Sequence, residues 1–311
     1  MSETSHTSKR FSQWAWFVVG YLLLVILWGA WVRITHSGAG CGNHWPTCHG
    51  ELIPHIPGKK TMIEYIHRIT SGLSLPLVLG MLIAAWKKFP KGHLVRTAYV
   101  GTLIFLLSES ALGAGLVKFD LVANNTSVAR AITASLHLVN TFALTAFAAL
   151  AARWSQGHRH LQWNFKERFS RFLLPALLAV VISSMAGAVT ALGDTLFPIK
   201  LGEVFHHTAS THFLVQLRIL HPILAVLTGV YLLIILPILQ ESHPELKLLK
   251  AAQHAVMTQL ALGGLNIFLG APGWMQIIHL LMALIVTLLV LFCWIHSQET
   301  ASDSSIPNSQ A

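Results

Sequence analysis

Charge is what this sequence has least of. Among 311 residues, 11% are Asp, Glu, Lys or Arg while 54% are hydrophobic, and the mean hydropathy is +0.60. Water-soluble chains carry about 25% charge, so an ordinary globular protein in water is excluded. So is disorder, which requires low hydrophobicity. Cysteine is almost missing, with Cys41, Cys48 and Cys293 as the only three, and no CxxC spacing of the kind that holds zinc. The polar and apolar alternation of a membrane barrel is absent. There is also no basic stripe with interleaved aromatics, so the formal charge of +9 does not point to nucleic acid.

Long apolar runs are abundant. A helix needs about 20 mostly apolar residues to cross the hydrocarbon of a bilayer, and eight segments qualify: 14–34, 63–86, 97–117, 128–152, 172–192, 214–239, 251–270 and 274–295. Lipid offers no partners to bare backbone, so such runs must be helical. The expected fold class is an all-α integral membrane protein. The first run is longer than a signal-peptide core and lacks a clear small-x-small cleavage site, so it reads as a span.

Most of the 21 Lys and Arg fall in connections on one side of these spans, which predicts that both termini are cytoplasmic. Trp14, Trp16, Trp86, Trp154, Trp274 and Trp294 lie near span ends, as interfacial anchors do. The expected divisions are a tail over 1–13, a first four-span unit over 14–152, a linker over 153–171, a second unit over 172–295 and a tail over 296–311.

The two units echo each other at steadily shrinking offsets. GAWVRIT (29–35) ends span one and GAVTALGDT (187–195) ends span five, while ALGAGL (111–116) in span three answers ALGGLN (261–266) in span seven. Spans two, four, six and eight carry His67, His137, His221 and His279 near their starts. A four-span unit returns the chain to its starting side, so the expectation is two parallel-repeat four-helix bundles.

All four histidines then sit at a similar depth, each near an outer end. Ionisable side chains within a span face a bundle interior and a partner, and the simplest pairing is His67 with His137 and His221 with His279. Two imidazoles on apolar walls suit the iron of a haem. A site for a bare metal would want three or four ligands, and the sequence puts no carboxylate with each pair.

The halves differ beside these histidines. Glu64 stands three residues before His67 and Arg218 three before His221, and such residues share a helix face. One site thus has a carboxylate suited to proton chemistry and the other a guanidinium suited to a propionate, with Arg68 and Arg130 as further propionate candidates. Cys41 and Cys48 lie in the first outer loop, where an oxidising compartment favours a disulfide; a pair of exchanging thiols is the alternative. Cys293 reads as core packing. Outer-loop histidines His36, His44, His49, His55, His206, His207 and His212 read as solvated or weakly metal-binding. Glu109, a carboxylate inside span three, has no assigned role.

The stretches GAWVRITHSGAGCGNHWPTCHGELIP (29–54), EYIHRITSG (64–72), RAITASLHLVNT (130–141), LRILHP (217–222) and APGWMQIIHLL (271–281) resemble the haem A synthase family of the CtaA type, in order along the whole chain. The resemblance implies an oxidoreductase that converts a ring methyl of haem O to a formyl group by successive hydroxylations, giving haem A for terminal oxidases. It implies substrate haem at His67 and His137, a permanent haem b on iron ligands His221 and His279, Glu64 as the functional carboxylate, and Cys41 and Cys48 as the first-loop cysteine pair. Some members carry a second cysteine pair between spans five and six, and 192–212 has none. The implied setting is the inner (plasma) membrane, with a haem O synthase (protohaem farnesyltransferase) as partner, a membrane electron acceptor, and room for a homo-oligomer. The rivals are a two-haem electron-transfer cytochrome b without chemistry of its own and a histidine-dependent metal transporter.

Overall fold

The computed structural model describes residues 2–55, 58–157, 159–198 and 212–301. His206, His207 and the tail beyond 301 lie outside the described residues. The chain folds into long helices: α1 Ser2–Ile34, α2 Lys59–Lys88, α3 Leu94–Lys118, α4 Val128–Trp154, α5 Arg168–Leu196, α6 Phe213–Ser242, α7 Lys247–Phe268 and α8 Gly273–Gln298. Seven of these are long and apolar enough to cross a membrane, and the protein is a multi-pass membrane protein. The remaining helix, α7, is 22 residues long, about 33 Å at 1.5 Å per residue. Its Gln253, Gln259 and Asn266 dilute its hydropathy.

Large apolar side chains face outward all along the spans. Leu24, Leu178 and Leu227 are 68%, 62% and 63% exposed, a pattern that water would penalise and lipid does not. Inside, Phe11, Val18, Leu22, Tyr99 and Leu144 belong to one buried cluster and Leu173, Leu236, Leu249, Val256 and Val290 to another. Helix α1 packs on α2 and α4, and α3 on the same two; α5 packs on α6 and α8, and α7 on the same two. The two sets meet where α4 touches α5 and where α8 touches α1 and α4.

Three local features depart from the sequence expectation. Helix α1 begins at Ser2, where a tail over 1–13 was expected to precede the first span; 2–13 contains no Pro or Gly to stop the helix. Helix α6 contains a 3-10 turn over Leu217–Ile219, because Pro222 has no N–H to give to the Arg218 carbonyl. The third concerns the tail from 296, while the fold class is all-helical as expected. Residues Arg159–Leu161 and Glu299–Ala301 pair as a small antiparallel ribbon, β1 with β2. Glu299 clamps it, taking Arg153 Nη2 at 2.7 Å and Trp154 Nε1 at 2.9 Å. Gln298 adds bonds to Glu167 Oε2 at 2.9 Å and from the Asn164 amide at 2.7 Å.

Arg33, at the end of α1, ties the two sets of helices together. It donates to the Ala191 carbonyl at 2.6 Å and Thr195 Oγ1 at 2.7 Å on α5, and to Gln276 Oε1 at 3.0 Å on α8.

Candidate functional site

Helix α2 presents Glu64, His67 and Arg68 within one turn. Glu64 is buried, 3% exposed. Its Oε1 accepts from Arg68 Nε at 3.1 Å and Nη2 at 2.5 Å, and its Oε2 from the Cys41 amide at 2.8 Å. Arg68 Nη1 continues to the carbonyls of His44 and Thr47, both at 2.5 Å. The carboxylate therefore anchors the loop between α1 and α2 to α2 through a charge-assisted relay. A propionate contact from Arg68 would have to share that guanidinium.

The loop itself is compact. Cys41 and Cys48 are joined by a disulfide and both are buried, the first of the two alternatives that the sequence left open. Gly40 lies so close to α2 that a Cβ there would come within 2.5 Å of the Lys60 carbonyl oxygen. That approach lets Thr61 Oγ1 reach the Gly40 carbonyl at 2.7 Å and brings the Cys41 amide to Glu64. Other loop histidines have local roles, with His49 Nε2 2.9 Å from the Gly40 carbonyl and His212 capping the start of α6. Among the described residues no group of three or more His, Cys, Asp or Glu side chains converges as a bare metal would need.

The four nominated histidines are half-buried, and each ring lies against a glycine of the preceding long helix. Ideal Cβ atoms at Gly29, Gly187 and Gly263 would stand 3.0, 2.9 and 3.2 Å from Cε1 of His67, His221 and His279; at Gly113 the distance to His137 Cε1 is a comfortable 3.9 Å. These glycines make room for imidazoles at the helix crossings. His67 stands on α2 and His137 on α4, and both helices pack on α1 and α3. The rings of His221 and His279 have centroids 6.1 Å apart and planes at 80°. Nδ1 of His221 faces the Ser183 carbonyl at 2.9 Å, whereas Nδ1 of His67 and of His279 is buried without a hydrogen-bond partner. An imidazole anchored through one nitrogen offers the other to a metal.

The arginines near the second pair and the loop ends are also engaged. Arg218 Nε pairs with Asp194 Oδ1 at 2.8 Å, and its Nη2 donates to the carbonyls of Gly193, at 2.9 Å, and Phe197. Arg130 is buried and gives Nη1 to the carbonyls of Ala123 and Asn125, both at 2.7 Å.

The sequence reading places no carboxylate with each histidine pair, and for His137 that needs correction. Glu109 Oε2 on α3 stands 3.4 Å from His137 Nδ1. Asp194, the partner of Arg218, is likewise not singled out by the sequence. The available signal for Glu109 is its place one turn before Gly113, the glycine that faces His137.

The COX15-CtaA family, described as cytochrome oxidase assembly protein, matches residues 12–291. The chain belongs to that family. Two relatives from two strains of Thermus thermophilus, each named protoheme IX farnesyltransferase, are 43% identical over 290 residues, 91% of this chain and 48% of theirs. A heme A synthase of Halalkalibacterium halodurans is 41% identical over 98 residues, 32% of this chain and 33% of its own. Another, from Exiguobacterium sp., is 40% identical over 111 residues, 35% of this chain and 36% of its own. The chain thus spans about half the length of the Thermus relatives that it matches along most of its own.

Proposed function

We propose that this COX15-CtaA family member is a haem A synthase, oxidising a ring methyl of haem O to a formyl group by successive hydroxylations. The observation that carries the reading is the pair of facing imidazoles, His221 and His279, with ring centroids 6.1 Å apart. A metal–imidazole bond of about 2 Å, extended to each ring centre, gives roughly that separation for one iron between two rings. The glycine-lined crossings and the orphaned Nδ1 atoms of His67 and His279 are further features that suit iron porphyrin. Haem b would be held by His221 and His279, with Arg218 beside a propionate. Substrate haem O would be held by His67 and His137, with Arg130 and a shared Arg68 at its polar edge.

The echo of glycine and histidine positions between the halves supports two parallel-repeat four-helix bundles, 14–152 and 172–295. The distribution of Lys and Arg supports cytoplasmic termini in the plasma membrane. The porphyrin iron supplies the oxidation chemistry when bound. The chain's part is to place the reacting methyl beside Glu64, whose carboxylate is already fixed by Arg68 and the Cys41 amide, and which takes a proton or offsets positive charge there. With water as the source of the formyl oxygen, the conversion of methyl to formyl releases four protons and four electrons, and the electrons would leave to a membrane acceptor.

A protohaem farnesyltransferase that makes haem O is the proposed partner, since a poorly soluble substrate gains from direct handover. Thermus polypeptides named for that activity contain a stretch 43% identical to this chain. This chain is not proposed to carry the prenyl transfer. Its only aspartates, Asp120, Asp194 and Asp303, are far apart in sequence, and a magnesium-bound diphosphate is held by clustered carboxylates.

The test is an optical spectrum of the purified protein with chromatography of its extracted pigment. Glu64→Gln should keep the haem b spectrum and lose formylated haem. His221→Ala or His279→Ala should lose the haem b signal. Haem without any hydroxylated or formylated product from the native chain would make it an electron carrier instead, and a colourless protein after incubation with haem would remove haem altogether.

A further inference from the structure

Glu109 is a carboxylate within a membrane span, where it is costly without a purpose, and the reaction above makes no use of it. It reaches from α3 to one face of α4. Asn140 Nδ2 donates to its Oε2 at 2.6 Å, Thr141 Oγ1 to its Oε1 at 2.5 Å, and His137 Nδ1 stands 3.4 Å from Oε2. His137, Asn140 and Thr141 occupy positions i, i+3 and i+4, so all three face α3 together. Asn140 is itself fixed, accepting from Ser108 Oγ at 2.5 Å and donating to the Phe105 carbonyl at 2.8 Å. Every polar neighbour of the carboxylate is a donor, and the group is held in place independently of the ring it faces.

The separation from His137 lies just outside the 2.7–3.2 Å of an N–H···O bond. A carboxylate at that position favours the tautomer with its proton on Nδ1, leaving Nε2 for a metal, and it strengthens that nitrogen as a donor. The other pair lacks this device. His221 Nδ1 faces a neutral backbone carbonyl, that of Ser183. Beside His279 stands an amide, Gln259, whose Nε2 lies 3.2 Å from the ring's Nε2 and leaves the ring's Nδ1 without a partner. Gln259 precedes Gly263 by four residues as Glu109 precedes Gly113, and those two glycines face His279 and His137. A carboxylate in one half thus answers an amide in the other.

We propose that Glu109 is a positioning residue that orients His137 and raises its donor strength, so that the iron held with His67 has a lower reduction potential than the iron held by His221 and His279. The proposal rests on the haem reading above. A negative charge one bond network away from an iron, in a medium of low dielectric, favours its oxidised state.

The experiment is an optical potentiometric titration of the full-length purified chain loaded with iron protoporphyrin IX. The native protein should show two one-electron waves, the lower one missing in His137→Ala. Glu109→Gln keeps the shape of the side chain and should shift the lower wave up, so that at the native midpoint the ratio of reduced to oxidised haem rises at least tenfold, about 59 mV for one electron. The upper wave should not move, and Glu109→Asp should restore part of the difference. If Glu109→Gln fails to accumulate, Thr141→Val keeps the carboxylate but takes away one donor, and should move the lower wave downward alone. A single wave, a lower wave that survives His137→Ala, or a lower wave unmoved in these variants overturns the proposal. Absence of any haem absorbance in the loaded native protein overturns the haem reading, and this inference with it.

Discussion

Removing the disulfide of the loop between α1 and α2 should loosen that loop by a definite amount. The bond joins Cys41 and Cys48 across a sequence separation of 7. The chain-entropy relation for a ring of that size gives about 2.4 kcal/mol, roughly a 50-fold change in an opening equilibrium at 1.4 kcal/mol per tenfold. The loop would not come free, because the amide at position 41 still reaches Glu64 and Arg68 still holds the His44 and Thr47 carbonyls. Local opening is therefore the quantity to read, and amide hydrogen exchange over 37–52 reads it. Cys41→Ser/Cys48→Ser should speed exchange there about 50-fold while a peptide in the second half of α2 keeps its native rate. Glu64→Gln in the oxidised protein should also speed it, by weakening bonds to a charged group worth about 1.5–3 kcal/mol each. The two changes should add incompletely because they restrain the same segment. Exchange within about threefold of native in the double serine variant would refute the reasoning and assign the loop's rigidity to its hydrogen bonds with Glu64, Thr61 and Arg68.

The glycine crossings make a paired prediction. Gly187→Ala forces a methyl to within 2.9 Å of His221 and should cost about 1–3 kcal/mol by overpacking. Gly113→Ala, with 3.9 Å of room, should be neutral or gain up to about 1 kcal/mol of helix propensity. Thermal unfolding in detergent compares them, and equal midpoints would show that the crossings do not set the ring positions. At the opposite end of the helices, Glu299→Ala removes the fully buried acceptor of Arg153 and Trp154. It should cost about 3 kcal/mol, as a broken buried pair does, and should expose the 159–161 ribbon to protease; unchanged cleavage would sink that account.

What could be read from the sequence follows from which interactions are local. Hydropathy and length set each span, because every backbone group in lipid must be satisfied within its own helix. The limit of that rule is α7, whose Gln253, Gln259 and Asn266 leave it less apolar than its neighbours although it packs between α6 and α8. His221 and His279 were legible as a pair because helix order and depth fix both, and their rings do meet. The interactions that distinguish one histidine from another were not legible. Glu109 lies 28 positions from His137 along the chain, and only the crossing of α3 and α4 brings them to 3.4 Å. The Ser183 carbonyl that faces His221 has no side-chain signature at all. Glu64 was singled out for its spacing from His67, yet spacing alone said nothing of Arg68 and the Cys41 amide that hold it. A helical pattern thus reveals which side chains share a depth, while the groups that tune them come from neighbouring helices and loops. On the reading proposed above, similar histidine placements are therefore tuned differently, by a carboxylate at 109 beside His137 and an amide at 259 beside His279.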